Sequence, residues 1–448
     1  MKFLFLSVLM ATIVHAGSND LSHRPKSFSA RTGRAVFVDF TEANYAINYD
    51  ITARTAVARA DITLNVVEAG HIIFDSVQDP TSIKLDGVAV TATIQKTPNN
   101  ETTVRVLDVP AAYGTHKLSI EVPVKELVEF TSSGVRSAFW TSDLEERNFL
   151  ERYLPASFEY DQMKMNFEIN FIGLKTSQLI YTNGSVKEKS KSNYSVSYPN
   201  HFNVSSIFFH TVPQGETNET RASFRSIDGR EIPVVVYNKS SSWTGAGGLE
   251  RLKTQSLEIF NELEKDYGAW PHAQLIVYNA GSGGMEYCGA TMTSASALGH
   301  ELFHSYFARG MMPANGNSGW IDEALASWRD AFYPRTSSFS GSSGMSSHAY
   351  YTRTTDMAAY SFGARFMAYL DGKLAEKGGL KPFMRHVIDK RIFSPLFVEE
   401  FSKELSQFSG VEVEADFKKY TYGGKSVPEK ATHPHHQKMT LKELKKHL

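Results

Sequence analysis

A change of hydrophobic period near residue 240 constrains this chain more than any other feature. From Ala35 to about Tyr237, apolar residues come in short runs or strict alternation, as in Tyr45-Ala-Ile-Asn-Tyr-Asp-Ile and Met163-Lys-Met-Asn-Phe-Glu-Ile-Asn-Phe. Alternation with a period of two marks a strand with one wet face. Asp79-Pro80, Asn99-Asn100 and Asn183-Gly184 supply turns between the runs. Beyond a joint at Ser240 to Gly248 the period becomes helical. Leu249, Leu252, Ile259, Phe260 and Leu263 form one stripe, closed by Gly268 and Pro271. Further helices are expected around His300, around Glu323, from Tyr360 to Leu374 and from Phe397 to Leu405. The expected class is α+β. A mostly antiparallel β domain covers residues 17–238 and a mainly helical domain covers 239–425. A basic tail from 426 carries His433, His435 and His436.

The 448 residues allow two or three domains. The 47 basic side chains are balanced by 48 acidic ones, which removes the electrostatic footprint expected of a nucleic-acid binder. Cys288 is the only cysteine, so no intramolecular disulfide can form, and it reads as a buried small hydrophobe. At the start, Lys2, the apolar run Phe3 to Val14 and the small-residue site Val14-His15-Ala16 read as a signal peptide over residues 1–16. A buried first strand is the competing reading. The run is too short to span a bilayer, and no later segment reaches about 18 apolar residues. A secreted or periplasmic protein without a stable membrane anchor is expected. Sequons at Asn100, Asn183, Asn193, Asn203, Asn218 and Asn238 would be glycan sites in a eukaryotic secretory pathway. Strands rich in Asn, Ser and Thr also produce them by chance, which is the reading adopted.

The chemistry lies at His300-Glu301-Leu302-Phe303-His304. On a helix, residues four apart share a face, so both imidazoles can reach one ion while Glu301 stands beside them to accept a proton from water. Thr293 or Ser294 can cap this helix and Gly310 can end it. Such a pattern arises by chance in about 3 sequences per hundred of this composition. A catalytic zinc needs a third protein ligand and one open position. Glu323 follows His304 after 18 residues, on an amphipathic stripe of Trp320, Ala324, Leu325, Trp328 and Phe332. Requiring that glutamate lowers the chance rate to about 2 per thousand. Asp330, seven residues on, lies on the same helical face and can orient a ligand imidazole; a solvated aspartate is the equal alternative.

His300, Glu301, His304 and Glu323 resemble the signature of the gluzincin zinc peptidases, specifically the aminopeptidase-N-like group that includes leukotriene A4 hydrolase. Gly284-Met285-Glu286-Tyr287 resembles that group's GxMEN motif, whose glutamate grips a free α-amine, with Tyr287 in place of the asparagine. Tyr360-Ser-Phe-Gly363 resembles its YxKG motif, whose tyrosine stabilises the oxyanion, with Phe362 in place of the lysine. Tyr350 and Tyr351 compete for that role. Leu154-Pro155 through Lys164 loosely resembles the FPxFDEPxxK segment. The resemblance implies a thermolysin-like catalytic domain, one Zn2+ held by His300, His304 and Glu323, and catalysis by Glu301 and Tyr360. It further implies that Gly284, Met285 and Glu286 meet a peptide substrate. Departures accompany it. Glu286 precedes His300 by only 14 residues, Leu144 of Asp143-Leu144-Glu145-Glu146 stands where a glutamine is usual, leaving Glu146 as the best surviving member of that segment, and fewer than 90 residues follow Tyr360. The expected activity is a zinc metallopeptidase that releases N-terminal amino acids. The alternatives are a zinc endopeptidase with an open cleft and a silent zinc-binding scaffold.

Overall fold

The computed structural model describes residues 23–98, 102–140, 149–242, 245–314, 316–348, 355–423 and 445–446. The signal segment 1–16, Leu144 and Glu146, Asn100, Tyr350 and Tyr351, and the tail histidines lie outside the described residues.

The first half is β, as its alternation requires. Its largest sheet has eight strands, with Asp39–Asp50 central between Lys164–Ile172 and Thr55–Val66. Along Asp39–Asp50, Tyr45, Ile47 and Tyr49 turn inward. Their rings meet those of the next strand, Tyr45 edge-on to Phe167 and Tyr49 stacked on Phe171. Each buried phenol finds an acceptor, Tyr45 at Pro155 O (2.8 Å) and Tyr49 at Ser137 Oγ (2.9 Å). A five-stranded and a four-stranded sheet complete this half. Two pairings are parallel, Asp39–Asp50 with Lys164–Ile172 and Gly33–Val36 with Gly70–Phe74, where alternation alone suggested antiparallel neighbours.

The strands just before the boundary expected at 238 pair with strands that follow it. The hairpin Thr217–Arg225 and Glu231–Lys239 hydrogen-bonds into the sheet of the second half, in the order 217–225, 231–239, 275–279, 290–293, 284–287. Ile232, Val234 and Val236 pack against Leu249, Leu252 and Phe260 rather than into the β domain. Period-two text reports a strand but not the sheet that it joins.

Seven α-helices are present among the described residues: α1 Gly245–Tyr267, α2 Leu298–His304, α3 Ile321–Asp330, α4 Phe362–Lys373, α5 Lys381–Arg391, α6 Val398–Ser409 and α7 Glu414–Thr421. α1 is the crossover between the parallel strands Glu231–Lys239 and Leu275–Asn279, and Gly268 closes it at φ +97°. α2 ends at His304, short of the expected stop at Gly310, because the chain turns back so that Arg309 N–H donates to His304 O at 2.9 Å. Among the described residues no helix is long and apolar enough to cross a membrane.

The sequons at Asn183 and Asn203 are buried and spent on structure. Asn183 Nδ2 donates to Ser206 O and Cys288 O, and Asn203 Oδ1 accepts from Ser205 and Ser206. An amide held in this way cannot carry a glycan in the folded chain.

Candidate active site

The site forms where α2 packs against α3 and over the edge strand Gly284–Tyr287. α2 has only seven residues, of which six are buried; Leu302 and Phe303 anchor it in the helical core. On its other face His300 and His304 lie one turn apart, with ring centroids 4.7 Å from each other. α3 is held by its apolar stripe. Trp320 and Trp328 are fully buried, and their indole N–H groups donate to Ser346 Oγ and Pro334 O, both at 2.9 Å. Arg329 clamps α3 to α1 through a two-point ion pair with Glu262 (3.1 and 2.7 Å).

That packing delivers Glu323 to the imidazoles. Its Oε2 lies 3.0 Å from His300 Nε2 and 3.4 Å from His304 Nε2, and the three donor atoms fall within 4.8 Å of one another. The far side of each ring is already engaged. His300 Nδ1 meets Asp330 Oδ2 at 2.6 Å and His304 Nδ1 meets Phe307 O at 3.2 Å. A proton on each Nδ1 leaves two Nε2 lone pairs and a carboxylate aimed at one point, and His304 Nε2 has no hydrogen-bond partner among the described residues. Burial works against charge on both histidines. Even so, Asp330 and Glu323 lift His300 well above the usual range, and Glu323 and Glu286 raise His304. The surroundings call for positive charge at this point, and a dication supplies it. Two imidazoles and one carboxylate are a donor set suited to zinc. Replacing Asp330 by Asn should weaken zinc binding about 10- to 100-fold, read by competition with a chelating dye.

Glu301 is buried beside this triad. Burial pushes its carboxyl up to about 7; His300 and His304 oppose the rise, and Glu286 and Glu323 add to it. Its Oε2 has no hydrogen-bond partner among the described residues. Gly284 makes room for it, since a Cβ there would lie 2.5 Å from Glu301 Cδ and closer still to Oε1. Tyr360 is buried nearby. Burial holds its phenol well above the ordinary value, and a hydrogen bond with Glu323 adds to the shift. The close seat of α4 on α3 depends on Gly363, whose Cβ would meet Ala324 Cβ at 2.8 Å.

Residues along Gly284–Tyr287 alternate between faces. Gly284 and Glu286 turn toward α2 and its following turn, whereas Met285 and Tyr287 enter the β-domain core. The Met285 side chain therefore points away from α2, into the β-domain core. Cys288 is buried and burial pushes its thiol up to about 11, consistent with a packing role. Sequence reasoning missed Arg309. Its guanidinium is buried 3.1 Å from Glu286, and the available signal was a lone charge inside Tyr306-Phe-Ala-Arg-Gly-Met-Met.

No protein-family model matches the chain, and no curated protein matches it in sequence. Solved structures do match in fold. An M1 zinc metallopeptidase from Deinococcus radiodurans superposes with a TM-score of 0.61 at 14% identity, covering 89% of this chain and 97% of that one. Aminopeptidase A of Legionella pneumophila, in complex with aspartic acid, gives a TM-score of 0.63 at 12% identity, covering 87% of this chain and 50% of that one. Yeast LTA4 hydrolase gives 0.62 at 13%, covering 89% and 69%. With its β domain followed by a helical domain that carries the His300, His304 and Glu323 cluster, the chain has the fold of the M1 zinc metallopeptidases.

Proposed function

We propose that the protein is a zinc-dependent peptidase that releases N-terminal amino acids from peptides. The observation that carries this reading is the convergence of three metal donors, Glu301, Tyr360 and Glu286 around one buried centre. His300, His304 and Glu323 would hold one zinc ion. When bound, the ion acts as a Lewis acid on a carbonyl oxygen and makes water more acidic. Glu301 takes the proton from the attacking water and passes it to the leaving amine. Tyr360 donates a hydrogen bond to the oxyanion, a role that suits a phenol kept neutral by its surroundings. Glu286 and the backbone of Gly284 and Met285 seat the residue at the peptide's amino end. The neighbours support peptides as substrates, since one M1 zinc metallopeptidase structure holds a Tyr-Ser-Ala substrate. Residues 1–16 extend the proposal to an exported protein, acting in a periplasm or outside the cell.

The test is release of the first residue from a short unblocked peptide, followed by amino-acid analysis. A zinc chelator should stop release and added zinc should restore it. Release that persists after the metal is stripped would defeat the reading.

A further inference from the structure

The roles above leave Arg309 without a task, although it is paired with Glu286, the residue proposed to seat the substrate's amino end. Its side chain and that of Glu286 are each 1% exposed, with Nη2 3.1 Å from Oε1. The second arm, Nη1, donates to Ser205 Oγ of the β domain. The backbone fixes its position too, through Arg309 N–H to His304 O at 2.9 Å. Arg309 is thus tied to a metal-donor residue, to the β domain and to the glutamate expected to receive a substrate amine. The planar guanidinium thus faces the Glu286 carboxylate inside the fold, held at both of its arms.

We propose that Arg309 is the built-in counter-ion of Glu286, so that the cleft recognises the substrate nitrogen as a hydrogen-bond donor and not as a positive charge. The substrates then include peptides whose amino end is acylated as well as those with a free amine. This inference rests on the peptidase reading above. An ammonium beside a lone buried carboxylate gains its full Coulomb attraction. One about 3 Å from the carboxylate and about 5 Å from the guanidinium keeps only about two-fifths of it. An amide N–H, which an acylated terminus still offers, can donate to the same carboxylate and meets no repulsion from Arg309. In both cases water is added across the bond after the first residue; only the group on its nitrogen differs.

The experiment compares kcat/KM for one peptide with a free and with an acetylated amino end, using the zinc-loaded full chain. The wild type should cleave both, with a preference for the free amine within about tenfold. Arg309→Gln, which removes the counter-ion, should raise that preference by about tenfold or more, and Arg309→Lys should keep the wild-type ratio. Cleavage of only the free-amine peptide by the wild type overturns the proposal, whether or not the variants fold. An unchanged ratio in a folded Arg309→Gln variant also overturns it and leaves Arg309 as a tie between the domains. Cleavage of neither peptide by the zinc-loaded wild type overturns the peptidase reading, and this inference with it.

Discussion

Glu301→Gln should lower kcat by about 10³-fold while the protein keeps its zinc, measured as turnover of an unblocked peptide alongside the metal content of the purified protein. The substitution preserves the volume and leaves His300, His304 and Glu323 in place. It removes only the ability to accept a proton. The carboxyl is well placed for that task. It is buried, it has an oxygen without a hydrogen-bond partner among the described residues, and it stands beside the ligands without joining their cluster. Packing should not suffer, because a neutral amide is no harder to bury than a carboxylate pushed up to about 7. Turnover within about tenfold of wild type, with zinc present, would assign the proton transfer to another group.

What could be read in the sequence follows from how local each cause is. The ligand pair was legible because four residues along a helix bring two side chains together whatever the rest of the chain does. Glu323 was legible because Trp320, Ala324, Leu325 and Trp328 of the expected stripe are buried and seat α3, whereas Phe332, the last member of that stripe, falls beyond the helix and is exposed. Asp330 was legible in position but not in role, since only the packing of α3 on α2 settles the 2.6 Å contact with His300. The Arg309–Glu286 pair joins residues 23 apart that lie on a turn and an edge strand, and no period links them. The sheet that strand 231–239 joins was not legible for a related reason. Strand 231–239 alternates like those before it, and its partner at 275–279 comes only after the whole of α1. The end of α2 was misplaced because a backbone bond to His304 O, made by Arg309, closes the helix earlier than a glycine would.

Glu323→Gln should have a different outcome, and the difference separates a ligand from a base. The amide fills the same space in a fully buried position, so α3 keeps its seat. The negative charge facing both Nε2 atoms is lost, along with one of the two groups that raise each of His300 and His304. An amide oxygen is a poor zinc ligand beside two imidazoles. A binding energy of roughly 10–16 kcal/mol spread over three or four ligands gives about 4 kcal/mol for one, or about a thousandfold in affinity. Zinc content and turnover should therefore fall together, and turnover should recover in part when zinc is added in excess. Tyr360 should also lose the carboxylate to which its phenol hydrogen-bonds, so the zinc-rescued variant should stay slower than wild type at saturating metal. A Glu323→Gln protein that purifies with one full equivalent of zinc would remove Glu323 from the metal site. The fold could then still be that of a metallopeptidase, but the third ligand would have to be sought elsewhere in the chain.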